Sequence, residues 1–319
     1  MKTAFMISCR NVTDSGPGSK LAGSLSYFTA PLTADLTKFA SWKRVSGTEV
    51  TRLLLEETAA FPQVTEDENL KEMHLSLFIH GYNNSWDEAA GRYAKMVADL
   101  FQGKKSLGVL VLVTWPSNGS VTGYLPDRED ARESAPLLAE LFVRLHDHVL
   151  KMQRLAATTN DPAKACKAKI SVVAHSMGNY VLQKALAVTS KRLNNPALIT
   201  LVHQLVMVAA DVDNDLFQES QSQEADGNLM ANLCYRITAA YSGLDNVLGA
   251  SAGLKHFGKR RLGRSGLADA AHVHDNVWHR DVSSLISGAP AAHSGLFDTA
   301  AGVSFLRQVL QGMDRHHIT

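Results

Sequence analysis

Residues 169–180, KISVVAHSMGNY, constrain this chain more tightly than any other stretch. The β-branched run Ile170, Val172 and Val173 reads as a buried strand, and it breaks at Ala174-His175-Ser176-Met177-Gly178. Tyr180, Val181, Leu182, Ala185 and Leu186 then recur at helical spacing. A strand that turns into a helix within five residues has no room for bulky side chains at the crossing, and Ala174 and Gly178 meet that demand two positions either side of the serine. A serine in such a turn sits at strained backbone angles with its hydroxyl exposed, while the first amides of the helix point at the same spot. The short pattern alone also arises by chance. Its placement between a buried-type strand and a helix makes Ser176 a candidate catalytic residue, provided that partners lie elsewhere in the chain.

The rest of the chain repeats the alternation. Thr3–Val12 reads as a strand and Asn11–Ser19 as turn and loop. The stretch Ser24–Gln63 is mixed, with one helix at Thr48–Ala60. His74–Ile79 is a strand running into His80-Gly81-Tyr82-Asn83-Asn84, after which Ser85 caps a helix marked by Trp86, Ala90, Tyr93, Val97 and Leu100. Ser106–Thr114 is a continuous apolar strand of the kind buried on both faces of a parallel sheet, followed by the loop Trp115–Ser120. Asp127–Leu155 is helical, with Pro136 marking its start or a kink, and Asn160-Asp161-Pro162 breaks the chain. Leu201–Ala210 and Leu233–Ala240 are further buried strands, with a helix starting near Leu216 between them. Ser251–Gly266 reads as loop, Asn276–Leu285 as an edge strand, Ser287–Gly295 as loop and Val303–Leu310 as a closing helix. Strands alternating with helices predict an α/β chain with a mostly parallel central sheet and helices on both faces. With no internal repeat or linker, residues 1–319 read as one domain, of which 13–70 are the least legible.

A serine hydroxyl is a poor nucleophile until a base removes its proton, and the base is usually a histidine oriented by a carboxylate. In open α/β sheets such groups gather at the carboxyl ends of strands, in the chain order serine, acid, histidine. Asp245 lies just past the strand 233–240 and is the expected acid. Asp211 and Asp213 are rivals, and Asp213, Asp215 and Asp245 also suit helix N-capping. His293, in the loop after the last strand, is the expected base. His272 and His274 are rivals, His279 falls inside a strand pattern, and His175 is turned away from Ser176 by the strand–turn geometry. The oxyanion donors should be the amide of Met177 and, from the earlier strand–helix turn, that of Tyr82, with Gly81 letting the backbone pass close.

Composition excludes several alternatives. Net charge is +1 with no basic stripe, so nucleic acid is not an expected partner. Cys9, Cys166 and Cys234 are too few and too scattered for a disulfide framework or a metal set. His272, His274 and Asp275 are the residues a metal-dependent reading would use, but no further ligand cluster completes a zinc site. Ala4–Ile7 is too short for an export signal, and no run reaches the ~18 apolar residues of a membrane span. A cytoplasmic protein without cofactor or metal is expected, acting on a small-molecule ester.

Four stretches resemble one known family: FIHGYNNSWDEA (78–89), TWPSNGSVTGYLPDREDARESA (114–135), AHSMGNYVL (174–182), and VMVAADVDNDLF (206–217) with AYSGLD (240–245). They are similar to the α/β-hydrolases of unknown function grouped as DUF900. The second stretch is the most specific, because general hydrolase chemistry does not require it. The resemblance implies an α/β-hydrolase fold and the triad Ser176, Asp245 and His293, without a defined substrate. His80, Gly81, Tyr124, Asp127 and Arg128 are candidates for the pocket rim, and Asp127 equally suits a helix cap. A carboxylesterase is the expected activity. A lipase, thioesterase or amidase using the same triad, and a catalytically silent acyl-binding or scaffold protein, are the alternatives.

Overall fold

A computed structural model describes residues 2–59, 61, 73–117, 123–161, 164–165, 168–194, 200–218, 226–256 and 258–319. Cys166, Pro162, residues 118–122 of the loop after Trp115 and the end of the 24–63 stretch lie outside them.

The described strands form one nine-stranded sheet in the order β3-β2-β1-β5-β4-β6-β7-β8-β9. They are β1 (Thr3–Thr13), β2 (Gly16–Pro31), β3 (Lys43–Val45), β4 (His74–Ile79), β5 (Gly108–Thr114), β6 (Lys169–His175), β7 (Val202–Val208), β8 (Cys234–Tyr241) and β9 (Val277–Asp281). From β1 to β9 all pairings are parallel, while β1–β2 and β2–β3 are antiparallel.

Helices cover both faces, as the continuous apolar strands require. Along each strand successive side chains enter opposite layers. Leu77 and Val172 join the core under α1 (Gly47–Ala59), α3 (Tyr124–Thr159) and α4 (Gly178–Arg192). Their neighbours Phe78 and Val173 join the core under α2 (Trp86–Met96) and α9 (Ala300–Leu310). The start of α2 is set locally. The Ser85 hydroxyl accepts from Glu88 N and the Glu88 carboxylate accepts from Ser85 N, so two orphan amides are satisfied reciprocally.

Five sequence expectations are corrected. Residues 16–31 form β2, although Gly16-Pro17-Gly18 reads as a turn; the turn itself is only Asp14 and Ser15, and pairing with β1 supplies what β propensity lacks. Residues 214–217 form a turn rather than a helix. The expected loop 251–266 contains the end of α6 (Asn246–Lys255) and the short α7 (Leu262–Ser265), with Gly249 of α6 packed so tightly on Arg264 that a Cβ there would lie 2.7 Å from its guanidinium. The last strand stops at Asp281, after which 283–288 is a turn. Helix α3 starts at Tyr124, before Pro136 rather than at it, and runs over 36 residues or about 54 Å.

Candidate active site

Ser176 stands between β6 and α4 with φ +52°, the left-handed region that non-glycine residues enter only under constraint. The constraint is visible. Ser176 N donates to Val208 O at 2.9 Å, and Ser176 O accepts from Asn179 N and Asp211 N, each at 3.1 Å. The buried Asn179 side chain ties Ala174 O (2.9 Å) and Ser176 O (3.1 Å) together. Two glycines let this turn abut the one after β4. A Cβ on Gly178 would lie 2.4 Å from His80 O and 2.7 Å from Ile79 O; one on Gly81 would lie 2.8 Å from Ser176 Cβ. Because the obstacles to Gly178 are backbone atoms, Gly178→Ala is expected to cost about 3 kcal/mol by overpacking. Urea unfolding at neutral pH measures this, and a loss below about 0.5 kcal/mol would mean that the two turns are not in contact.

Asp245 and His293 meet. Asp245 is buried at the N-cap of α6, where Oδ1 accepts from Leu248 N at 3.0 Å. Its Oδ2 accepts from His293 Nδ1 at 2.7 Å. His293 lies in the short helical turn Ala292–Ser294. It is also gripped by His175, whose ring packs on it at 4.9 Å and whose Nε2 donates to His293 O at 3.0 Å. Burial and the neighbouring His293 hold the His175 imidazole well below its usual pKa, so it is neutral with the proton on Nε2.

The turn after β4 is braced from behind. His80 is buried and stacked on Trp115 at 5.4 Å. Its Nε2 accepts from Trp115 N (3.2 Å) and lies 3.0 Å from Thr114 Oγ1, so the ring proton sits on Nδ1 and is donated to Gly81 O at 2.9 Å. Across a trans peptide N–H and C=O point oppositely, so holding Gly81 O against His80 directs Tyr82 N–H away from it. Arg10 on β1 adds a buried cation. Its Nε donates to Thr114 Oγ1 (2.9 Å), Nη1 to Gly18 O (3.1 Å) and Ser117 O (3.3 Å), and Nη2 to Asn84 O (2.9 Å). Ser117 Oγ in turn donates to the buried Asp127 at 2.5 Å. Asp127 thus engages the loop after β5, and among the described residues no side-chain hydrogen bond caps α3 at Gly123.

This arrangement has a pH signature. Burial and Arg10 push His80 down to about 3, and His175 is also depressed. Both are neutral in the fold, so below about pH 6.5 the unfolded chain takes up protons that the folded chain does not, and stability falls with pH. The loss is expected to reach about 2 kcal/mol for His80 by pH 5, with His175 adding to it in the same direction. Urea midpoints at pH 7, 6 and 5 measure it, and a flat profile would count against two buried neutral imidazoles.

A second polar cluster flanks the turn. Asp211 is buried; its Oδ1 accepts from Arg261 Nε (2.8 Å) and Ser251 Oγ (3.2 Å), and its Oδ2 from Tyr124 Oη (2.7 Å). Tyr124 Oη also lies 2.5 Å from His256 Nε2, and its ring meets Tyr82 edge-on at 5.4 Å. Asp213 pairs with Arg261 and with Lys259 at 2.8 Å. Both rival acids are therefore occupied by Arg261, away from His293. The rival histidines are dispersed: His272 contacts Asp269 (2.6 Å), His274 contacts Asn228 (2.9 Å), and His279 accepts from Leu267 N (2.8 Å).

Sequence reading missed Arg10, His175 and Arg261 as parts of this assembly. Arg10 carried a signal, since a guanidinium inside an otherwise buried strand must be met by acceptors. The other two carried none, because their partners are remote in sequence.

A family model described as an alpha/beta hydrolase of unknown function (DUF900) matches residues 57–275. An uncharacterized protein of Nostoc sp. is 27% identical over 148 residues, 40% of this chain and 34% of the relative, so the match spans about a third of that protein's length. Aspergillus fumigatus lipase B is 13% identical with a TM-score of 0.41, covering 78% of this chain and 55% of the lipase. An esterase of Pyrobaculum calidifontis is 11% identical with a TM-score of 0.36, covering 85% and 91%.

Proposed function

The chain belongs to the DUF900 alpha/beta hydrolases of unknown function, and from that membership and the geometry around Ser176 we propose that it is a serine carboxylesterase. The observation that carries this reading is the 2.7 Å contact between Asp245 and His293, whose ring packs on the residue preceding a serine at φ +52°.

In the proposed cycle His293 Nε2 takes the proton of Ser176 Oγ as the oxygen attacks the ester carbonyl, and Asp245 stabilises the imidazolium through Nδ1–H. The carbonyl oxygen, now negative, is met by the amides of Met177 and Tyr82. Met177 heads α4, where the first amides have no intrahelical acceptor, and His80 sets the direction of the Tyr82 N–H. His293 returns the proton to the leaving alkoxide, and the acyl group stays on Ser176. Water attacks the acyl-enzyme with His293 again as base, releasing the acid. His80 and Arg10 act as positioning residues in this scheme.

A fluorophosphonate probe tests the reading. It is expected to add its phosphonyl group to the peptide carrying Ser176, seen by mass spectrometry, and not to label Ser176→Ala. Folded wild-type protein that resists labelling would leave a silent acyl-binding protein as the better account.

A further inference from the structure

Arg128, in the first turns of α3, lies beside this site. Its guanidinium carbon sits 3.7 Å from the centre of the Tyr180 ring, four residues beyond Ser176 on α4. Its Nη1 is buried without a hydrogen-bond partner, and no hydrogen bond or ion pair reaches Arg128 from the described residues. Its field nevertheless bears on Tyr124, Asp211, Asp213 and His256. The two carboxylates in that group are already held by Arg261 and Lys259. Asp211 N bonds to Ser176 O, which ties this surrounding to the candidate serine.

A guanidinium stacked on an aromatic face keeps its edge N–H groups in one plane, the geometry that accepts a planar or tetrahedral oxyanion in bidentate fashion. A buried donor with no acceptor costs free energy, and because Arg128 as a whole is only partly buried, an anion at its open edge removes that cost once the guanidinium turns Nη1 toward it. We propose that Arg128, laid on Tyr180, receives a carboxylate or phosphate group of the substrate, so that the esters cleaved here are acidic ones. The inference rests on the hydrolase reading for the word ester, but not for the binding of the anion.

Two measurements separate these parts. In the first, mono-p-nitrophenyl esters of adipate, pimelate and suberate are compared with the neutral hexanoate, heptanoate and octanoate. The acidic ester of the best-fitting length is expected to exceed its neutral counterpart in kcat/KM by about tenfold or more. That ratio should fall toward one in Arg128→Met, recover in part in Arg128→Lys, and shrink in 0.5 M salt. In the second, Ser176→Ala protein is melted with adipate, pimelate, suberate or inorganic phosphate. A rise in Tm that disappears in the Ser176→Ala/Arg128→Met double variant is expected, and whether the dicarboxylates or phosphate produce it identifies the source of the anion. A protein that binds these anions through Arg128 but turns over neither ester series supports the anion site and rejects the hydrolase. Turnover with a ratio near one, or one that Arg128→Met leaves unchanged, overturns the acidic-ester assignment; no Tm rise with any anion, or one that survives the double variant, overturns the anion site.

Discussion

Ser176→Ala is expected to lower kcat for p-nitrophenyl butyrate by roughly 10⁶-fold while the circular dichroism spectrum and Tm stay close to those of the wild type. The magnitude is that of deleting the nucleophile from a serine triad, where the surviving rate comes from main-chain donors and binding alone. The fold should persist because the turn is held by main-chain groups and by Asn179, not by the Ser176 hydroxyl. Alanine meets the same left-handed backbone cost as serine, so no strain is released and none is added. Initial rates with active-site titration measure the loss. Turnover within tenfold of wild type would remove Ser176 from the mechanism.

Asp245→Asn is expected to cost about 10⁴-fold in kcat with less than about 1 kcal/mol in stability. The reason is particular to the double duty of this side chain. One carboxylate oxygen accepts from Leu248 N at the start of α6, and the other accepts from His293 Nδ1. In the asparagine variant the cap still requires an oxygen at Leu248, so the amide orients its NH2 toward His293. That group donates, so Nδ1 must become the acceptor and the ring proton moves to Nε2. The imidazole is then unable to take the Ser176 proton, although its position is preserved. Comparing the pH–rate profile and urea unfolding of the two proteins checks this. A variant that unfolds easily but keeps its kcat would show that Asp245 serves only the cap.

Local chemistry made much of the scaffold readable. The two strand–turn–helix units stand out because each needs an apolar strand, small residues at the crossing and a helix start within a dozen residues. Ser85 and Glu88 announce α2 by themselves. β2 was not readable, since Gly16-Pro17-Gly18 has the composition of a turn and becomes a strand only because β1 presents a ladder to it. Nor were α7 and the end of α6, in a stretch whose glycines read as loop although two of them sit in close packing, Gly249 against Arg264 and Gly263 against the backbone of Ala209 and Ala210.

The one-dimensional pattern determined where a strained serine would stand, which turn would approach it, and that strands and helices would build a parallel sheet. It did so because those features depend on steric demands between residues close in the chain. Only the tertiary structure decided which carboxylate meets which imidazole. Asp211 and Asp245 both follow buried strands, but Arg261, fifty residues after Asp211, arrives to neutralise one and leaves the other to His293. Whether a charge is taken or left over is set by which elements the fold brings together, and the packing of Arg128 on Tyr180 leaves its Nη1 without an acceptor among the described residues.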